Sequence, residues 1–199
     1  MIPGQFVILG AALSLLGALI YARAVVSGDV RPNRVTWFTW ALAPLIAFAA
    51  QLADGAGIVA VTTLAVGLGP LLIFCASFAR GAGYWRLRPF DAVCGALAVA
   101  ALAGWQLTGS ELLAVALALA ADALGAVPTL VKAWRWPQTE NGTVFRNAAL
   151  NGAIGLLALD AWKPANFLFP VYLVIIGTTL WALIEWPRRG AATEPAVRS

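Results

Sequence analysis

The sequence predicts an all-α membrane protein whose seven helices each cross the bilayer. Hydrophobic residues make up 61% of the 199-residue chain and charged residues only 11%, with a mean hydropathy of +0.84. A soluble domain averages roughly 45–50% apolar and about 25% charged residues. Seven apolar stretches are each long enough to span a bilayer core, which needs about 20 helical residues. The basic residues lie mainly in alternate gaps between these stretches.

Glycine, proline and charged residues separate the seven stretches, as helix ends require. Arg23 follows the first stretch, and the second begins after the Pro32–Asn33 pair. In chain order, the later boundaries are marked by residues 54–56, 80–89, 108–109, 135–141 and 161–163. The predicted helices cover about residues 2–22, 35–53, 57–79, 90–107, 110–134, 142–160 and 164–186.

The basic residues predict how the chain is oriented. All of the 13 basic residues except Lys163 lie after helices one and three, at or after the end of helix five, near the start of helix six, or in the tail. Such positively charged ends face the cytoplasm, so the N-terminus is expected outside and the C-terminus inside, with a disordered cytoplasmic tail at 188–199. No basic residue precedes the first apolar stretch, which favours a retained helix over a signal peptide. We expect a multi-pass protein of the plasma (inner) membrane, and the excess of arginine over lysine suggests a bacterial source.

An internal repeat divides the chain. A gapless shift of 108 residues places helices one to three on helices five to seven, with Asn33 meeting Asn141. Because a single helix separates the halves, both repeats have the same orientation. The sequence therefore predicts two parallel three-helix repeats, at 1–79 and 110–187, joined by a linker helix within 80–109. Parallel-repeat transporters place the substrate site near mid-membrane between the halves.

This 3+1+3 plan, with its outside N-terminus and equivalent ends of helices one and five, resembles the SWEET and PQ-loop transporter superfamily. The resemblance covers about residues 1–187, mostly through topology. Pro128-Thr129 keeps the proline of the family's Pro-Gln motif, helix one has Ile20-Tyr21 at that place, and Pro137-Gln138 lies in a loop. The resemblance implies a transporter of a small solute, such as a sugar or an amino acid, that works by alternating access around a central site.

One acid is predicted to lie near the middle of the membrane. Asp122 is about twelve residues into helix five, roughly 18 Å from its outer end. A carboxylate at that depth costs about 2.5–3.5 kcal/mol on insertion scales, so intramembrane acids are functional candidates by default. We predict that Asp122 couples transport to protons. The alternative interpretation is a hydrogen-bonded acid that holds helices together.

Polar residues on helix six predict a substrate site. Asn147 and Asn151 lie four residues apart on one helix face, and their amides can donate and accept hydrogen bonds to a hydroxylated or zwitterionic ligand. Thr39 is the equivalent of Asn147 in the first repeat, and Trp40 lies on much the same face of helix two. The other interpretation is that these residues join helices, since Asn, Thr and Gly are enriched at membrane helix interfaces.

Aromatic residues and prolines complete the candidate site. Trp40 and Trp181 lie deeper than the other tryptophans and are candidates to stack on a ligand, and Tyr172 is a further pocket candidate. Helices two, three, five and seven are interrupted by Pro44, Pro70, Pro128 and Pro170. Each proline frees a carbonyl and kinks its helix. In a transporter the kinks act as hinges, whereas in a static bundle they only shape a cavity.

The residue types also exclude some functions. The chain contains no histidine, the commonest metal ligand and the commonest general base. We therefore predict no enzymatic activity, no metal and no cofactor. The expected partners are the lipid bilayer and a small-molecule solute, and no nucleic acid is expected. The sequence does not decide whether the chain forms a homo-oligomer. The alternative function is a membrane receptor or binding module that uses the same cavity without transport.

Overall fold

The computed structural model describes residues 6–53, 58–79, 87–107, 111–159 and 162–193, and these residues form an all-helical fold. The elements, in chain order, are α1 (Phe6–Ser27), α2 (Arg34–Ala53), α3 (Ile58–Ala76), α4 (Pro89–Leu107), α5 (Glu111–Arg135), α6 (Gly142–Leu157) and α7 (Pro164–Thr193). A short 3-10 turn, Pro137–Thr139, lies between α5 and α6. The described part of the chain contains no strand, and the predicted all-α class is confirmed.

Two helix ends at the same end of the bundle differ from the prediction. α1 continues to Ser27 rather than ending at residue 22, because the exposed Arg23 carries its charge on the helix surface without breaking the helix. Gly28 then ends α1 with φ of 88°, a backbone conformation that glycine adopts at little cost. α7 continues to Thr193 and so includes residues 188–193 of the segment expected to be disordered. Extending an existing helix is favourable, whereas starting one is costly; residues 194–199 lie outside the described part.

The second helix of each half begins with the same cap. The side-chain oxygen of Asn33 accepts a hydrogen bond from the Val35 amide at 3.0 Å, and that of Asn141 accepts one from the Thr143 amide at 2.9 Å. Each bond satisfies one of the amide groups that the first helical turn leaves without a partner. Asn33 and Asn141 are 108 residues apart, so the caps stand at equivalent positions.

Helix contacts follow one pattern in both halves. α3 packs against α1 and α2, and α7 packs against α5 and α6. Between the halves, α1 contacts α6 and α2 contacts α5, while α4 packs on α5 and α2. Helices α1, α2 and α3 of the first half correspond to α5, α6 and α7 of the second. With this correspondence, the contacts within the first half match those within the second, and the contact of α1 with α6 matches that of α5 with α2.

The two crossings between the halves use equivalent residue pairs. A Cβ atom on Gly17 would lie 3.0 Å from the Asn147 amide nitrogen, and one on Gly125 would lie 2.7 Å from the Thr39 hydroxyl oxygen. Both members of the second pair are related to the first by the 108-residue shift. Small residues let helix backbones approach closely, so each half approaches the other at the same point of the repeat.

Two described helices contain segments long and apolar enough to cross a membrane. These segments are residues 8–27 in α1 and 167–186 in α7, and shorter apolar stretches occupy 66–76 and 89–100. Large apolar side chains also face outwards, among them Ile8, Leu107 and Ile175, which are 64%, 88% and 60% exposed. The outer surface of the bundle is therefore rich in apolar groups, which soluble monomers rarely expose over wide areas.

Candidate functional site

A cavity of about 390 Å³ lies between the two halves of the bundle. Side chains from α1, α2, α3, α5, α6 and α7 form its wall, and α4 contributes none of the described lining residues. Eight of the lining residues form four pairs related by the 108-residue shift: Ser14 and Asp122, Trp37 and Phe145, Trp40 and Ala148, and Gly69 and Gly177. The cavity thus lies across the axis that relates the halves.

Asp122 on α5 is the only ionisable side chain among the described residues that line the cavity. The indole N–H of Trp40 donates to the backbone carbonyl of Asp122 at 3.2 Å and fixes α2 against α5 at this level. From α7, the Tyr172 hydroxyl faces the Asp122 carboxyl group. The buried hydroxyl of Tyr172 makes no hydrogen bond of good geometry with the described residues.

The rest of the cavity wall is mainly apolar. Ser14 and Asn151 add a hydroxyl and an amide, and the other described side chains of the wall are aliphatic, aromatic, proline or glycine. A ligand would therefore find few hydrogen-bond partners and much apolar surface.

Four packed aromatic rings close one end of the cavity. Trp37 and Phe145, which line it, stack with their ring centres 6.1 Å apart. Trp40 meets Trp37 edge to face at 5.2 Å, and Tyr21 packs against Trp37 at 4.9 Å. Tyr21, Trp37 and Phe145 are each no more than 2% exposed, so these rings form a dense layer beneath the cavity. We call Tyr21, Trp37, Trp40 and Phe145 the aromatic floor.

A buried ion pair lies directly beyond the aromatic floor. The Lys132 ammonium is 2.5 Å from a carboxylate oxygen of Glu140, and both side chains are 0% exposed. The Tyr21 hydroxyl donates to the second carboxylate oxygen of Glu140 and joins the pair to the floor. Lys132 also donates to the carbonyls of Arg31 and Thr139. These bonds satisfy the charges, which buried ion pairs require.

Equivalent loops meet at the same end of the bundle. The Arg31 amide donates to the Thr139 carbonyl at 3.0 Å, and these two residues are 108 positions apart. The Thr129 hydroxyl donates to the Thr36 hydroxyl at 2.9 Å and joins α5 to α2. The aromatic floor, the ion pair and the paired loops therefore close the end of the cavity at which α1 and α5 terminate.

The structure brings together part of the predicted site. Asp122, Trp40 and Asn151 line the cavity, as do the prolines Pro44 and Pro70. These five residues come from α2, α3, α5 and α6, which shows how the tertiary fold assembles distant positions.

Several other predicted residues lie beside the cavity rather than in its described wall. The Asn147 amide donates to the Leu13 carbonyl at 2.8 Å, and the Thr39 hydroxyl donates to the Val35 carbonyl one turn back. Both are buried in the helix crossings described above. Their polar groups thus join helices in this conformation.

The remaining candidates also have partners outside the wall. Trp181 packs against the hydrophobic core, and Pro128 is buried within α5. The carbonyl of Pro170 lies against Gly152, where a Cβ atom would be only 2.7 Å away. Pro170 therefore sits at the close contact between α7 and α6.

Sequence reasoning missed the aromatic floor and the ion pair. Lys132 was interpreted as one of the orienting basic residues, and Glu140 as part of a loop. The spacing of eight residues between them crosses a helix end and a 3-10 turn, so no helical periodicity could relate them. Tyr21 and Trp37 stood near helix ends, where aromatic residues are common.

In chemical terms, the site offers one carboxylate in an apolar, aromatic enclosure. No group of three or more His, Cys, Asp or Glu side chains that could hold a metal occurs among the described residues. Comparison with protein-family models, with curated proteins and with solved structures gave no match.

Proposed function

We propose that the chain is a seven-span membrane transporter that binds a small solute in the cavity between two parallel three-helix repeats. The observation that carries the proposal is the cavity itself, whose described wall includes four pairs of equivalent positions from the two halves and contains Asp122 as its only ionisable group. Repeat-built transporters bind their solute at such a place and move one half against the other.

The surface of the bundle supports a membrane location. Two described segments, 8–27 and 167–186, are apolar enough to span a bilayer, and large apolar side chains face outwards on several helices. The basic residues of the described part of the chain, apart from Lys163, lie towards the end of the bundle where α1 and α5 terminate, so this end faces the cytoplasm in the proposed orientation. The proposal keeps the N-terminus outside and the plasma (inner) membrane of a bacterium as the location.

The closed end of the cavity supports alternating access. The aromatic floor and the pair formed by Lys132 and Glu140 separate the cavity from the cytoplasmic end. Opening that end requires the paired loops to part, and therefore breaks or moves the contact between Arg31 and Thr139. Pro44 and Pro70 lie in the cavity wall, where kinked helices can bend as the halves move.

An accessibility experiment tests transport against the receptor alternative. Ser14 lines the cavity, and both native cysteines, Cys75 and Cys94, can be replaced by alanine to give a background without thiols. In that background, Ser14→Cys is placed in proteoliposomes of known orientation and treated with a membrane-impermeant thiol reagent from each side in turn. A transporter is labelled from both sides, because the cavity opens alternately.

The outcomes separate the two functions. Labelling from one side only, under every solute and pH condition, favours a receptor or binding module and contradicts transport. Leu19→Cys, on the exposed face of the same helix, is the matched control for reagent that enters the lipid. A second measurement follows proton flux with a pH-sensitive dye inside the vesicles, across a panel of amines, amino acids and sugars. Asp122→Asn should abolish solute-driven proton flux if Asp122 is the coupling residue.

A further inference from the structure

We propose that the cavity selects lipophilic organic cations, namely ammonium or phosphonium ions that carry aromatic or branched apolar groups. The inference rests on the proposed function, because it names the solute class for the same cavity. It depends on three properties of the described wall: one acid without a balancing basic residue, aromatic rings that line the cavity, and a shortage of hydrogen-bonding groups.

The described wall contains one acid and no basic residue to balance it. Asp122 is the only described ionisable side chain there. Along α5, the next cation is Lys132, ten residues and about 15 Å away, and it is bound to Glu140 below the aromatic floor. A carboxylate in an apolar enclosure is costly unless it is paired or protonated. A cationic ligand would supply the missing partner.

The aromatic rings of the wall favour a cation with apolar groups. Trp37, Trp40 and Phe145, three of the four rings of the aromatic floor, line the cavity. A cation over the face of an aromatic ring is attracted by the ring quadrupole, and the attraction is greatest where water is excluded and for tryptophan. The apolar remainder of the ligand would pack against the aliphatic part of the wall.

The same wall is poorly suited to sugars and zwitterions. A sugar needs a partner for each buried hydroxyl group, and the described wall offers mainly Ser14, Asn151 and Asp122. The carboxylate of an amino acid would find no described cation in the wall. The volume of about 390 Å³ falls within the range of about 300–1,000 Å³ typical of pockets for drug-sized ligands.

A proton and the organic cation would compete for Asp122. The groups that face this carboxylate are the Tyr172 hydroxyl from α7 and the Trp40 indole from α2, neither of which carries charge near neutral pH. On α4, which also packs against α5, the described ionisable side chains are Asp91 and Cys94, both in its first two turns. Cation binding should therefore weaken as the pH falls and should release a proton.

The test uses tetraphenylphosphonium and tetraphenylborate, a cation and an anion of nearly the same shape. Binding of each ion to the full chain in detergent micelles is measured by equilibrium dialysis, with protein-free micelles as the blank. We expect the cation to bind at least about tenfold more tightly than the anion, and its binding to weaken as pH falls. The inference would be overturned if the two ions bound equally well, if the anion bound more tightly, or if binding of the cation did not change with pH. Excess L-lysine, a polar cation, should not compete.

Substitutions of acidic residues test whether the cation binds at Asp122. Asp122→Asn preserves shape and should weaken tetraphenylphosphonium binding about tenfold or more, whereas Asp29→Asn, which changes an exposed acid outside the cavity, should leave binding unchanged. The double variant Ser14→Asp/Asp122→Ser moves the carboxylate to the equivalent position of the other half, where it should restore cation binding. Retained binding in Asp122→Asn, or no restoration in a double variant that keeps the wild-type helical content, would contradict the assignment.

Failure of this inference can be told apart from failure of the proposed function. If Ser14→Cys is labelled from both sides but tetraphenylphosphonium does not bind, the transporter proposal stands and the solute class is wrong. If the cation binds through Asp122 but Ser14→Cys is labelled from one side only, the solute class stands and transport is wrong.

Discussion

The buried ion pair beneath the aromatic floor offers a quantitative test of how the closed end of the cavity is held. Lys132 and Glu140 are 2.5 Å apart and 0% exposed. Removing one partner of such a pair leaves a charge buried without compensation, which typically costs about 3–5 kcal/mol. We therefore expect Glu140→Gln to lower the free energy of unfolding by about 3 kcal/mol. We expect a cost at the lower end of this range because the Lys132 ammonium would still donate hydrogen bonds to the carbonyls of Arg31 and Thr139.

A double-mutant cycle isolates the pair. Lys132→Met should destabilise the protein by a similar amount, since the buried Glu140 carboxylate would lose the ammonium group that lies 2.5 Å away. The combined variant, Lys132→Met/Glu140→Gln, should cost less than the sum of the single changes, with a coupling energy of about 0.5–3 kcal/mol. Asp29→Asn, on an exposed acid, serves as the control and should leave stability unchanged.

Equilibrium unfolding in mixed micelles, followed by tryptophan fluorescence and circular dichroism, provides these free energies. Single variants that each cost less than about 1 kcal/mol and add without coupling would refute the reasoning, because that is the behaviour of a solvent-exposed pair. The ion pair would then not be what holds this end of the cavity closed.

Three further predictions follow from the same contacts. In the thiol-free Ser14→Cys protein, adding Glu140→Gln should speed labelling from the cytoplasmic side several-fold, and an unchanged rate would show that the pair does not limit access. Gly125→Ala should destabilise the protein by about 1–3 kcal/mol, because its new Cβ would lie 2.7 Å from the Thr39 hydroxyl oxygen. Gly104→Ala is the control and should be tolerated, because its new Cβ would meet its nearest neighbour at an ordinary 3.4 Å. Equal effects of the two changes on thermal unfolding would contradict the close crossing of α5 and α2. Replacing either capping asparagine, Asn33 or Asn141, by alanine should cost about 0.5–2 kcal/mol, and a large difference between them would argue against equivalent helix starts.

Local signals account for what could be predicted of the fold. The apolar composition and the spacing of glycine, proline and charged residues indicated seven helices, and the described structure has seven. Helix ends were harder to predict, as α1 and α7 show by continuing past their expected last residues. A charged residue such as Arg23 can remain helical while its side chain reaches solvent or the lipid surface, so charge alone does not mark a helix end.

The candidate site could be predicted only in part, for a reason specific to such apolar helices. Asn147 and Asn151 share a helix face, yet only Asn151 belongs to the described cavity wall, while Asn147 is bound to the Leu13 carbonyl. A soluble helix separates its buried and exposed faces by polarity. These helices are apolar on nearly all sides, so periodicity cannot tell which face meets the cavity, another helix or the outside.

By itself, the sequence determined the helical class of the chain, the equivalence of Asn33 and Asn141 under the 108-residue shift, and the presence of one acid, Asp122, deep within α5. These features depend on residue types and their spacing along the chain. Only the tertiary structure decided that Trp37 and Phe145 form the floor of a cavity, and that Lys132 and Glu140 pair beneath it. Those contacts depend on how the helices cross and rotate against one another, and that geometry is set by close packing between segments far apart in the chain.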